Sequence, residues 1–193
     1  MKKPFFFHFA ALISIATICS TAHTQTILRP IAAVGLNGGG DQFSPSVPGG
    51  NRYQPARVSG LVHAYIGAEY LPSSSYGISA TIGFQGGVLQ NKGQRRYEFA
   101  RIPVELQIST ELLDGIGIIG GVRKSLSPSV KMPASEQQYE PKLSSDIGYF
   151  GGIRFGFGQA SSIMARYTIE KFNAPGIPPI NGRHFGIYYE FAR

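Results

Sequence analysis

Residues 99–128 set two alternating stretches on either side of a short polar turn. In the first, Ala100, Ile102, Val104, Leu106 and Ile108 share one parity, while Arg101, Pro103, Glu105 and Gln107 share the other. A period of two is the geometry of a β-strand with one apolar and one polar face. The second stretch places Ile116, Ile118, Gly120 and Val122 on one face and Gly117, Ile119, Gly121 and Arg123 on the other. Together they predict a hairpin with its turn over 109–115. Each arm is long enough to cross a bilayer as a tilted strand of about 9 to 11 residues.

Comparable segments recur at 28–36, 58–70, 76–88, 97–108, 116–124, 147–157, 162–171 and 183–191, which predicts eight strands. Their connections alternate in length. Stretches 38–57, 89–96, 125–146 and 172–182 are polar or rich in Gly and Pro, whereas 71–75, 109–115 and 158–161 are tight. Long loops at one end and short turns at the other are the pattern of a barrel that spans a membrane. The expected fold class is all-β, an eight-stranded antiparallel transmembrane up-and-down β-barrel.

Composition points the same way, since 25 Gly, 13 Pro, 10 Tyr and 13 Phe with no Trp favour strands and turns over helices. The chain opens with Lys2 and Lys3, continues with an apolar run from Pro4 to Ile18, and reaches the small residues Ser20, Thr21 and Ala22. This is the layout of a secretory signal peptide. The expected organisation is therefore a cleaved leader over 1–22 and one barrel domain over 23–193. Cys19, the single cysteine, lies inside the leader, and Ile18 before it is not the small residue of a lipoprotein signal. Neither disulfides nor thiolate metal sites are expected to hold the mature chain together.

Charge placement decides which face of the strands looks outward. Lys92, Lys124, Lys131, Lys142 and Lys171 all fall in predicted loops or at strand ends. The polar faces carry Arg29, Glu69, Arg101, Glu105, Arg123, Arg154, Arg166, Glu170 and Glu190. Arginine forms planar, multiply bonded pairs and is less strongly hydrated than lysine, so a nearly balanced Arg/Glu set suits a crowded interior. These nine residues are expected to form a charge network that fills the lumen. The opposite parity, including Ile82, Phe84, Ile153, Phe155, Ile163 and Tyr167, is expected to face lipid. Tyr70, Tyr76, Tyr97, Phe157, Phe172, Tyr189 and Phe191 gather towards strand ends, where interfacial girdles place aromatic rings. A soluble periplasmic barrel that holds a small hydrophobic ligand is the alternative for the same alternation.

Candidate chemistry is thin. Ser59, His63 and Glu69 share a parity on one predicted strand. At strand rise, however, Ser59 and His63 are about 13 Å apart, too far for direct proton transfer. His184 is expected beside Arg166 or Glu170 on the neighbouring strand. No catalytic, cofactor or metal site is assigned from these residues, and a lipid A-modifying enzyme stands as the alternative of another class. Gly38, Gly39 and Gly40 lack the Lys-Ser/Thr of a phosphate loop. Lys92, Arg95 and Arg96 form the densest basic cluster and, in an external loop, are expected to contact lipopolysaccharide phosphates. Nucleic acid is not an expected partner of an exported chain.

The final segment, His184 to Phe191, puts Phe185, Ile187, Tyr189 and Phe191 on one face, with only Ala192 and Arg193 after it. It resembles the C-terminal assembly signal of outer-membrane barrels. The run Arg101-Ile102-Pro103-Val104-Glu105-Leu106, with Gly120-Gly121-Val122 and Leu126-Ser127-Pro128, is similar to a pattern in uncharacterised members of the same group. The mature chain as a whole resembles the small outer-membrane β-barrel superfamily, which includes OmpA-type and OmpX-type barrels. The resemblance implies a Gram-negative outer-membrane location and insertion by the barrel-assembly machinery. It further implies contact with membrane lipid and lipopolysaccharide, and a structural or surface-interaction role for a monomer; that the chain has no enzymatic activity is expected from the separation of Ser59 and His63. Pro103 fits poorly in a paired strand and has no account at this level.

Overall fold

The computed structural model of the chain describes residues 28–40, 42–43, 56–57, 62–73, 75–90, 96–131, 142–157, 160–175 and 177–193. The leader over 1–22 lies outside them. Alternation of apolar and polar side chains yields the strands β1 (Leu28–Gly39), β2 (Val62–Ser73), β3 (Tyr76–Gln90), β4 (Arg96–Leu113) and β5 (Ile116–Lys131). They are followed by β6 (Ile147–Phe157), β7 (Ser161–Ile169) and β8 (His184–Ala192). These eight close into an antiparallel barrel in which each strand pairs with its chain neighbours and β8 pairs back onto β1. Closure leaves no unpaired edge around the wall, which is the condition for strands to cross a bilayer.

The strands are tilted. A row of paired positions leaves β5 at Ile116, passes Phe155, Ile163, Tyr189, Val34 and Ala64, and returns to β5 near Leu126. A climb of that size over eight strands is the stagger that a closed barrel needs.

Burial follows parity with a period of two, and β8 reads buried and exposed in strict turn from His184 to Ala192. The outward set is almost wholly apolar: Leu106, Ile108, Ile153, Ile163, Ile187 and Phe191 are each more than 40% exposed. Glu69, Arg101, Glu105, Arg123, Arg166, Glu170 and Glu190 are all 5% exposed or less. This distribution inverts that of a water-soluble barrel and is the one a transmembrane barrel requires.

Several expectations need correction. The turn expected over 109–115 contracts to Asp114 and Gly115, because β4 continues to Leu113 and β5 begins at Ile116. Gly115 takes φ +70, a left-handed value natural to glycine. Its N–H donates to Glu111 Oε1 at 2.8 Å, which ties the turn down. Lys124 lies inside β5 and not at a strand end, since the strand runs on to Lys131. The stretch expected as a loop over 172–182 is largely structured. Lys171–Ala174 and Ile177–Asn181 pair in an antiparallel hairpin, with Ser144–Ser145 on the other side of Lys171–Ala174.

Pro103 now has an account. β3 and β4 pair at Ile82 with Val104 and resume at Gln85 with Arg101, so Pro103 falls in the interruption, where its missing N–H breaks no ladder bond. On its other side it stays in register with Ser125 of β5.

Candidate functional site

Inward positions of all eight strands converge on a lumen that contains two ionic clusters and a mostly aromatic layer between them. At the end of the barrel that carries the short turns, Glu69 of β2 accepts from Arg29 of β1, with Nη2 at 2.6 Å, and from Nη1 of Arg154 on β6 at 3.0 Å. The same Arg154 reaches Glu190 of β8 at 2.6 Å. Glu190 also accepts from the Tyr65 hydroxyl at 2.8 Å. Each carboxylate there meets donors from other strands, so the cluster ties β1, β2, β6 and β8 together.

Towards the loop end, Glu105 of β4 receives a two-point fork from Arg166 of β7, both bonds at 2.8 Å. Arg123 of β5 lies 3.2 Å from the same carboxylate and 3.3 Å from Glu170. Glu170 accepts from Arg101 Nη1 at 2.8 Å and from the Ser145 hydroxyl at 2.7 Å. Gln85 Oε1 accepts from both Arg101 and Arg123 and bridges the two guanidinium groups. Planar guanidinium groups that share carboxylates in this way give directional, charge-assisted bonds. A buried charge with such partners is tolerated, whereas one stripped of them is costly.

The middle layer contains Tyr65, Tyr188, Met164 and His63, all buried. The Tyr188 hydroxyl donates to Asn37 Oδ1. The His63 ring stands edge-on to Tyr188, with ring centres 5.5 Å apart. Arg166 spans the layers, its guanidinium 4.3 Å from the centre of the Tyr188 ring and 4.6 Å from that of Phe150. Gly35 and Gly186, the neighbours of Tyr188 on β1 and β8, make room for the ring, since a Cβ at either position would overlap it.

The loop end is covered by the small sheet. Phe172 is fully buried there, its ring 5.7 Å from Phe99, with the Arg101 guanidinium 5.0 Å from its centre. Phe172 thus leaves the interfacial girdle expected for it and packs inward, because Lys171–Ala174 continues the inward parity of β7. Tyr70, Tyr76, Phe157, Tyr189 and Phe191 are exposed on the outer wall, while the Tyr97 side chain lies outside the described residues. At the turn end the lumen opens into a vestibule of about 580 Å³, lined by Arg29, Glu69 and Arg154 at its floor and by Glu111 and Asp114 at its rim.

His63 and Glu69 do not meet as parts of a catalytic set. His63 contacts Tyr188 and Arg166, Glu69 belongs to the cluster at the turn end, and Ser59 lies outside the described residues. His184 does not hydrogen-bond Arg166 or Glu170; its Nδ1–H donates to the Gly182 carbonyl at 2.7 Å. No group of three or more His, Cys, Asp or Glu side chains among the described residues is arranged to hold a metal. Lys92 and Arg95 lie outside the described residues, and Arg96 is described only as the first backbone position of β4. Sequence reasoning did not single out Gln85, Tyr65, Tyr188 and Ser145. For the first three the signal was parity, since Gln85 shares the face of Ser79 and Thr81, Tyr65 that of Glu69, and Tyr188 that of Glu190.

No protein-family model matches the chain, and no curated protein matches it in sequence. Solved structures do. Ail, the attachment invasion locus protein of Yersinia pestis, solved with the heparin analogue sucrose octasulfate, is similar with a TM-score of 0.55 at 8% identity, over 86% of this chain and 96% of that one. Neisserial surface protein A gives 0.46 at 12% identity, over 86% and 93%. The outer membrane protein AlkL in lipid bilayers gives 0.43 at 16% identity, over 90% of each chain. At such identities the likeness is one of fold, and the similarity to Ail carries it. With its closed wall, apolar exterior and polar interior, the chain has the fold of the small eight-stranded outer-membrane β-barrels.

Proposed function

We propose that this protein is an integral barrel of the Gram-negative outer membrane, without enzymatic activity, whose role is structural or is exercised at the cell surface. The observation that supports this most is the pairing of an almost wholly apolar outer wall with a lumen crossed by buried ion pairs. An apolar wall of this extent needs lipid around it. Eight strands enclose an interior that side chains can fill, and here Arg101, Arg123 and Arg166 with Glu105 and Glu170 fill it from wall to wall. The lumen network is therefore a stay that braces the barrel and shuts it to diffusion. The long loops lie at the outer surface and the short turns in the periplasm. The protein acts as a monomer, is inserted by the barrel-assembly machinery, and presents Lys92, Arg95 and Arg96 to lipopolysaccharide.

Membrane fractionation with heat-modifiable gel mobility tests the reading. Folded protein is expected in the outer-membrane fraction, with faster mobility before boiling than after. Recovery of the folded chain from the periplasm without detergent would overturn it in favour of a soluble, ligand-carrying barrel. For the enzyme alternative the measurement is the lipid A mass spectrum, which is expected to be unchanged on deletion or over-expression.

A further inference from the structure

On three strands an outward apolar run leads up to an exposed cation. On β5 the outward positions are Ile116, Ile118, Gly120 and Val122, and the next is Lys124, with exposed Leu126 beyond it. β7 presents Ile163, Ala165, Tyr167 and Ile169, and the next position of that parity is Lys171. Read from its end, β8 presents Phe191, Tyr189, Ile187 and Phe185, and the next is Arg183. All three cations are exposed. They are also neighbours in space. Lys124 pairs across to Ile147, whose neighbour Asp146 donates its N–H to the Lys171 carbonyl at 3.0 Å, and Arg183 adjoins His184, which pairs with Thr168 of β7. No ion pair among the described residues engages any of the three.

Height settles what they meet. Each cation stands eight residues along a tilted strand from the first apolar position of its run, which is about 20 Å along the barrel axis. An outer-membrane apolar band is about 25 Å tall, so these side chains reach the headgroup level of the leaflet at the loop end. The collar is one-sided, because the outward residues at the loop ends of β1 and β4 include Leu36, Gly38, Ala100 and Ile102. Asp146 stands within the collar, but its Oδ1 accepts from the Asn173 amide at 2.8 Å and is held by that bond.

The geometry points to a binding site on the outer wall, formed by Lys124, Lys171 and Arg183, for the phosphate groups of an outer-leaflet glycolipid. Its acyl chains lie along Val122, Tyr149, Tyr167 and Ile169. Fixed cations next to an apolar wall match a ligand with phosphates at the head and hydrocarbon below. A zwitterionic phospholipid, whose amine offsets its phosphate, matches less well. The site rests on the membrane reading above, gives its glycolipid partner a place on the outer wall, and is distinct from Lys92, Arg95 and Arg96.

The test is native mass spectrometry of the full chain in detergent micelles titrated with diphosphoryl lipid A. The combined variant Lys124→Gln, Lys171→Gln and Arg183→Gln is compared with the wild type and with a control carrying Lys131→Gln and Lys142→Gln. Binding is expected to weaken by at least about tenfold in the triple variant, as the loss of three surface charges implies. The control is expected to bind like the wild type, and fully dephosphorylated lipid A to bind the wild type as weakly as lipid A binds the triple variant. Equal binding by the triple variant, or equal binding of dephosphorylated lipid A or phosphatidylglycerol by the wild type, overturns the site. Competition by inorganic phosphate at concentrations similar to lipid A also overturns it, since the apolar wall would then contribute nothing. Heat-modifiable mobility reports that the triple variant is folded, and single Lys171→Gln and Arg183→Gln variants replace it if it is not. Carbonate extraction from phosphatidylcholine vesicles separates the two failures: a wild type that is washed out removes the membrane reading and the site together, whereas one that stays in while lipid A binding is unselective removes the site alone.

Discussion

Arg166 and Glu105 face each other across the lumen in a two-point fork, both bonds at 2.8 Å, with neither side chain reached by solvent to more than a few per cent. Their strands, β7 and β4, are not neighbours in the wall, so the pair is a strut across the interior. Replacing Glu105 with alanine leaves Arg166 without its carboxylate and takes one of two carboxylates from Arg123. The expected cost is about 3–5 kcal/mol of folding free energy, as for other broken buried pairs. Lys131→Ala at the exposed end of β5 is expected to change stability by less than about 0.5 kcal/mol. Urea unfolding midpoints of the two variants in detergent check this, and equal midpoints would refute the strut.

Tyr188 is one of two tyrosines between the two clusters, and the glycines beside it leave nothing to fill its space. Tyr188→Ala is expected to cost about 3–5 kcal/mol and to raise single-channel conductance in planar bilayers above the wild-type level. Tyr188→Phe removes the donor to Asn37 and the hydroxyl that lies 3.4 Å from His63 Nδ1, and is expected to cost about 1–3 kcal/mol, with conductance unchanged. An identical conductance for all three proteins would locate the barrier elsewhere.

The outer wall makes its own prediction. Leu106 lies near the middle of the apolar run on β4 and is 52% exposed. In a bilayer, Leu106→Arg is expected to lower stability by about 2–4 kcal/mol, the cost of a cation near the midplane. On a water-facing wall the same change would be close to neutral. Unfolding in phospholipid vesicles, set against unfolding of the wild type, distinguishes the two.

At the turn between β4 and β5, Gly115 is left-handed and its carbonyl accepts from Gly156 N–H at 2.7 Å. Gly115→Ala puts a Cβ in that conformation and is expected to cost about 1–2 kcal/mol. The measurement is again the urea midpoint, with Gly156→Ala, whose added Cβ would find ordinary spacing, as the comparison.

Alternation carried much of the architecture. Ile102, Val104, Leu106 and Ile108 against Arg101, Glu105 and Gln107 are enough to define a strand and its two faces, and seven similar segments complete the ring. Parity also groups Arg101 with Glu105, but it is silent on partners across the lumen. That Arg101 meets Glu170, and Glu105 meets Arg166, depends on the stagger of eight strands, which no local pattern encodes. The sheet at the loop end was illegible for another reason. Pro178 and Pro179 read as breakers, yet the segment pairs along Lys171–Ala174 because Phe172 and Ile180 bury together. Lys124 was misplaced because the polar residues from Ser125 onward read as a loop, whereas β5 continues through them to Lys131.

The cluster at the turn end binds residues drawn from both ends of the chain, since Arg29 belongs to the first strand and Glu190 to the last. Until β8 closes on β1, Glu190 and Arg154 cannot be brought together with Glu69 and Arg29, and a partial sheet carries two separate ion pairs on an open polar face in place of one enclosed cluster. Such an intermediate resists transfer into hydrocarbon, so the first and last strands must find each other before, or as, the polar interior leaves water. Membrane insertion of this chain is thereby coupled to its circular closure, and a chain cut short before Glu190 forfeits both.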